Sequence, residues 1–459
     1  MLFVALRSCT LGVFFACSAA QSAVTQPDII TLAADGAWSW FNDPRAVFHN
    51  GTLYFGHCRS DGKSALSAYA PTRGSTLLWT STWTERDDHD NPGLLPMSDG
   101  RLLAVYAHHG TTSSFNYRIS LTTNPVSPAD WSAESSFNNG APATYSNPYQ
   151  LSAERGTIYD FLRALNFNPT VTTSTNEGKN WSMPRTLIRT GTNSTIRPYV
   201  KYCSDYISRI DFLYTDGHPN RLTNSLYHMY YGDGALHHTD GSFLKSFADL
   251  PLLHDASERG SIVYRYSDAP SIDPNDHIPA GRAFCWEIVR PTANHPVCVF
   301  SVRRSRVTGT HWYDDRIYYY YASWTGSRWQ KRFIAHAGRP LYDGENDYAG
   351  GICLDPENPN VVYISSNAAK PFSLTNTIQI PLSDSGHYEI FRGVTTNAGL
   401  GFNWTTVTTN SAMDNLRPYV PRNHAKSPAL IWFCGTYSSY SRFNSSVVGI
   451  FANPSSESH

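Results

Sequence analysis

Three histidines stand at the ends of one short apolar segment. His89 lies within the acidic stretch ERDDHD (85–90), and His108 and His109 directly follow LLAVYA (102–107). Imidazole can hold or release a proton near neutrality, and its neutral form is a common metal ligand. The set therefore suits proton transfer or metal binding, and solvated loop histidines would read the same way. A Pro–Gly break at 92–93 and an Asp–Gly turn at 99–100 bound the segment, so it reads as one hairpin with His89 and His109 at a shared mouth. Strand alternation turns His108 to the opposite face. Arg163 ends the aromatic run TIYDFLRAL (157–165), on the same face as Tyr159 and Phe161. A guanidinium there is costly unless it meets an anion, a carboxylate of a neighbouring sheet, or water. RPYVKY (197–202) places Arg197, Tyr199 and Lys201 on one strand face, for an acidic ligand or for a cross-strand ladder. His218 in TDGHPN reads as a ligand-contacting residue or a metal ligand. Asn42, Asp43 and Arg45 of FNDPRA line a channel or form a buried ion pair.

These residues sit in a chain of 459 residues with a formal net charge of −1, 16% charged and 14% aromatic side chains. The charged fraction is well below the roughly 25% of ordinary soluble domains. No Lys/Arg run builds a basic face, which excludes nucleic acid as a partner. An acidic ligand must be met by a few placed arginines. The N-terminus carries Arg7, an apolar run from Leu11 to Cys17 and small residues around Ala20 and Ala23. Residues 1–23 read as a secretory leader, leaving one domain over 24–459 and placing the protein outside the cell. The apolar run is too short to span a membrane. Five sequons, at Asn50, Asn180, Asn193, Asn403 and Asn444, fit a secreted glycoprotein. Beyond the leader six cysteines remain, and some should pair in an oxidising compartment. Cys285 and Cys298 are the favoured pair, across one hairpin. The absence of CxxC argues against a zinc ribbon and leaves open a mixed His/Cys zinc site built from distant loops.

Helical periodicity is nearly absent. Short runs rich in Val, Ile, Tyr, Phe and Trp recur between turn clusters, among them TLYFGHC, RIDFLYT, VCVFSVRR, RIYYYYASW and LIWFCGTYS. Such spacing predicts an all-β protein of repeated sheets. At roughly 50–65 residues per four-stranded blade, the chain makes about seven blades of a single β-propeller, acting as a monomer; a two-domain sandwich is the competing architecture. STNEGKNW (174–181) and TTNAGLGFNW (395–404) resemble the Asp-box hairpin of sialidase-like propellers, in which an Asx side chain closes its own turn and Gly supplies positive φ.

GAWSWFNDPRAVF (36–48), DDHDNPGLL (87–95), GRLLAVYAHHG (100–110), TYSNPYQL (144–151), YDFLRALNFNPTVTTSTNEGKNW (159–181), RPYVKY (197–202), TDGHPN (215–220) and DYAGGICLDPENPNVVYISSN (347–367) together resemble the BNR-type propellers that include ulvan lyases and L-rhamnose-α-1,4-D-glucuronate lyases. The resemblance implies β-elimination at a uronate. The C5 proton is removed, the oxygen at C4 is expelled, and a cation or hydrogen-bond donor must relieve the carboxylate charge. It implies Tyr145 and His89 as the acid/base pair, Arg163 as carboxylate neutraliser, and His109, Arg197, Tyr199 and His218 as substrate-binding residues. Tyr145 would need the cation of Arg163 to serve as a base, since a phenol has a pKa near 10. No redox cofactor is required; some members of the group hold a structural metal, here calcium or zinc. The implied partner is an acidic plant or algal polysaccharide. Terminal rhamnose on an arabinogalactan such as gum arabic is preferred over ulvan. A sialidase-like hydrolase and a non-catalytic glycan-binding propeller are the competing functions.

Overall fold

Runs such as RIYYYYASW carry bulky side chains at successive positions, the pattern of strands buried on both faces. In the strand Ile317–Trp324, Tyr318 through Tyr321 are all buried, and so is every residue of Leu102–Ala107. The computed structural model describes residues 28–191, 196–221, 223–266, 281–291, 295–304, 316–373, 382–425 and 429–451. The leader expected over 1–23 and the sequon at Asn193 lie outside these residues. Asn50, Asn180, Asn403 and Asn444 are exposed.

The strands form seven antiparallel sheets, six of four strands and one of six. They are the blades of an all-β, seven-bladed propeller. The innermost strands of the seven blades are Ala46–His49, Gly93–Pro96, Thr144–Leu151, Val200–Ser204, Gly281–Val289, Ile352–Leu354 and Asp414–Tyr419, and most of them pack against the innermost strand of a neighbouring blade. Blade seven is built from both ends of the chain, because Ile30–Ala33 pairs as its outermost strand with Arg442–Phe451. Among the described residues the only helices are three-residue 3-10 turns, and no helix is long and apolar enough to cross a membrane.

Two turns close alike. Ser174 Oγ accepts from Gly178 N at 3.0 Å and Asn176 Oδ1 from Asn180 N at 2.9 Å; Thr395 Oγ1 accepts from Gly399 N at 3.0 Å and Asn397 Oδ1 from Gly401 N at 2.9 Å.

The expected disulfide does not form. Cys58, Cys203, Cys285, Cys298, Cys353 and Cys434 are all free. Cys285 and Cys298 do share a hairpin, but Cys285 lies opposite Phe300 and Cys298 opposite Ile288, with a register shift between Cys285 and Glu287. The two sulfurs are therefore staggered along the ladder, which a bridge cannot span without moving the backbone.

Candidate active site

The site assembles at the end of the channel where the innermost strands begin. In blade three, Thr144 lies opposite Arg163, and pairing resumes only at Asn147 opposite Phe161. Tyr145 sits in this bulge with φ of 67°, a left-handed conformation uncommon for a residue with a side chain. Its ring lies 4.8 Å from Arg163 Cζ, and its buried hydroxyl has no hydrogen-bond partner among the described residues. Polar bracing holds the bulge. Asn147 Nδ2 donates to Phe161 O at 3.0 Å, and its Oδ1 accepts from Asp43 N at 2.9 Å. Asn42 joins two blades: Nδ2 donates to His89 O and Asn91 O at 2.7 Å each, while Oδ1 accepts from Ser146 N at 3.3 Å. Of the two readings of FNDPRA, the buried ion pair describes Asp43 and Arg45, 3.0 Å apart and joined by Lys201.

The imidazoles of His89 and His109 stack, with centroids 3.8 Å apart and planes at 10°. Both bond to one carboxylate, His89 Nδ1 to Asp87 Oδ1 at 2.5 Å and His109 Nδ1 to Asp87 Oδ2 at 2.8 Å. Burial opposes charge on His89, but Asp87 and Asp88 outweigh it and push the ring up to about 10. Burial and then the charge on His89 take His109 down to about 4. The pair thus holds one proton between two rings at neutral pH. His89 also stacks on Tyr145 at 5.4 Å. His108 turns away, bonding Glu85 through Nδ1 at 2.8 Å and lying 3.7 Å from the Trp83 ring.

Arg163 is buried and donates from Nη1 to Tyr199 Oη at 2.7 Å. Arg163 Cζ and Arg197 Cζ each lie 5.8 Å from the exposed ring of Phe167. Neither arginine has a carboxylate partner among the described residues. His218 meets Tyr199 edge-on at 5.3 Å, and burial followed by the Arg197 charge lowers it to about 3. The shared strand face expected for Arg197, Tyr199 and Lys201 is corrected: the strand starts at Val200, and Lys201 turns to Asp43 and Trp40 O. The expected electrostatics of Tyr145 is corrected too. Burial and Tyr199 raise the phenol well above its ordinary value, and the lowering effect of Arg163 is smaller. Tyr145 therefore keeps its proton in the resting site.

Several residues of the site carried no signal of their own in the sequence. Asp87 and Asp88 were visible only as the acidic flank of His89. Arg417 and Tyr437 hold Asp88 from blade seven. Glu345 comes from the loop between blades five and six, where burial and Asp347, opposed by His89 and Arg197, push its carboxyl up to about 7. Asp87, His89 and His109 are also spaced as metal ligands could be. Each Asp87 oxygen accepts from an imidazole, so an ion held by these three residues would have to displace both hydrogen bonds.

Two solved structures of an ulvan lyase, described as a new family of polysaccharide lyase, share the fold with TM-scores of 0.65 and 14% sequence identity. One is bound to -[GlcA(1-4)Rha3S]- and covers 91% of this chain and 94% of its own; for the other the shares are 92% and 95%. No curated protein matches the chain. The family model described as BNR repeat-containing family member matches residues 52–337, and the chain belongs to that family.

Proposed function

We propose that the protein is a secreted polysaccharide lyase that cleaves a rhamnose–glucuronate linkage by β-elimination, releasing terminal rhamnose from a plant arabinogalactan such as gum arabic. One observation carries the reading: Arg163 and Arg197, without a carboxylate partner among the described residues, flank Phe167, and Arg163 lies over the phenol of Tyr145, which holds its proton and stacks on His89 of the imidazole pair. The two arginines bind the uronate carboxylate and relieve the charge that otherwise keeps the C5 proton in place. The unprotonated imidazole nitrogen of the His89/His109 pair takes that proton, and Asp87 stabilises the charge gained. The C5–H electrons form the C4–C5 double bond as the C4–O bond breaks. The departing oxygen, still attached to rhamnose, takes the proton of Tyr145, and Arg163 stabilises the phenolate until it is reprotonated. Tyr199 and His218 wall the uronate subsite.

Ulvan is the second reading, favoured by the -[GlcA(1-4)Rha3S]- bound to the solved ulvan lyase that shares this fold. The experiment is incubation with gum arabic and with ulvan, following the ultraviolet absorbance of the new unsaturated uronate. Absorbance with released rhamnose from gum arabic supports the proposal, and absorbance from ulvan alone selects the second reading. Reducing sugar without absorbance would mark a hydrolase, and neither signal would mark a binding propeller.

A further inference from the structure

The opposite mouth of the central channel opens into a cavity of about 280 Å³. Its walls come from the far ends of the strands whose near ends build the catalytic face: Val47, Pro96, Met97 and Gln150 from three innermost strands or just past them, and Tyr206 and Arg422 just beyond two more. Arg422 is held at the axis by its backbone, which bridges to Val47 and accepts from Phe48 N at 2.8 Å. Its half-buried guanidinium lies 5.9 Å from the Tyr206 ring and has no carboxylate or hydrogen-bond acceptor among the described residues. The titratable groups with the largest effect on it are the phenols of Tyr206, Tyr149 and Tyr419 and the thiol of Cys203.

Other arginines buried near the axis are matched. Arg45 meets Asp43, Arg417 meets Asp88, and Arg282 and Arg303 share Asp347. Arg163 and Arg197, at the catalytic face, are left open. Arg422 repeats that condition at the other end of the channel, where a partly desolvated cation calls for an anion. The rest of the lining narrows the class of ligand. Val47, Pro96 and Met97 form an apolar wall, Tyr206 offers an aromatic ring, and the exposed Ser98 and Ser152 offer hydroxyls. An apolar wall with a few convergent polar groups suits a small ligand, and the volume lies near the lower end of the roughly 300–1,000 Å³ common for such sites.

We infer that this mouth is a second binding site, distinct from the catalytic face, for a single carboxylated sugar ring whose carboxylate pairs with Arg422. The site anchors a uronate without cleaving it and does not depend on the lyase reading. Calorimetric titration of the full chain with D-glucuronate tests it, with D-glucose and inorganic sulfate as comparisons. The wild type should bind glucuronate at two sites and glucose at neither. Arg422→Gln should weaken one site by roughly 10–100-fold, the scale of a lost charged hydrogen bond, with turnover unchanged. Arg163→Gln should weaken the other site. Ser152→Trp, on the exposed rim, should block the same site as Arg422→Gln and keeps the test open if Arg422→Gln fails to fold. A wild type with no glucuronate site that Arg422→Gln or Ser152→Trp weakens overturns the inference, whereas absence of the Arg163 site alone bears only on the lyase reading. Sulfate binding without glucuronate, or glucose binding as tightly as glucuronate, overturns the assignment to a carboxylated sugar.

Discussion

Arg417 Nη1 donates to Asp88 Oδ2 at 2.5 Å, joining the innermost strand of blade seven to the turn that carries His89. Arg417 has φ of 52° and sits beside a register shift in its strand, as Tyr145 does in blade three. Tyr437 donates to the same Asp88 oxygen at 2.6 Å, and Asp88 Oδ1 reaches His89 Nδ1 at 3.1 Å. Removing one partner leaves the other buried and uncompensated. Arg417→Ala should therefore cost about 3–5 kcal/mol in denaturant unfolding. A loss below about 1 kcal/mol would mean that Asp88 is held without Arg417.

Tyr145→Phe deletes one oxygen and keeps the ring that stacks on His89. Turnover should fall by roughly 10²–10⁴-fold, as for a lost general acid, with the melting temperature nearly unchanged. A uronate carrying an aryl group at O4 needs less help to leave, so it should recover most of its rate in this variant. An aryl substrate as impaired as the sugar substrate would move Tyr145 from the leaving oxygen to the C5 proton.

Arg163→Lys keeps a cation but loses the planar fork that can grip a carboxylate while also donating to Tyr199 Oη. Its kcat/KM should drop by at least about tenfold, given the 1.5–3 kcal/mol of a charged hydrogen bond, while thermal melts show a folded protein. Wild-type kinetics would remove Arg163 from the site.

Asp87→Asn tests the shared proton. In the wild type His89 is raised from 6.5 to about 10 by Asp87 and Asp88 against the effect of burial. A raised histidine contributes stability that is whole below its unfolded pKa and is lost as pH rises through its folded pKa. Wild-type melting temperature should therefore decline between pH 6.5 and 10, whereas Asp87→Asn should start lower and vary less across that window. Parallel curves for the two proteins would place the proton elsewhere.

The strands were legible because each carries a dense β-branched and aromatic run bounded by turn residues, and because both faces of a blade are buried. His89, His109, Tyr145, Arg163, Arg197, Tyr199 and His218 come from blades two, three and four and the turns that lead into them, and they converge because the ends of innermost strands converge on the axis. What resisted reading was local backbone geometry. Nothing in TYSNPYQL announces a left-handed tyrosine, since the stretch contains no glycine, and NLRPYV hides Arg417 in the same way. The Cys285–Cys298 pairing failed on the register of the hairpin, which sets Cys285 opposite Phe300 and Cys298 opposite Ile288 and which separation along the chain cannot reveal. The proton shared by His89 and His109 depends on two rings meeting one carboxylate, a property of three dimensions only.

The outermost strand of blade seven, Ile30–Ala33, has to wait for Arg442–Phe451. The ring therefore cannot close until residues 442–451 have been synthesised. Until then the early blades exist as an open arc with an exposed inner face at each end, and a prematurely terminated chain would keep that arc open. A permuted gene that moves the termini into another blade would shift the seam where the ring closes, and with it the edges left open while the chain is short.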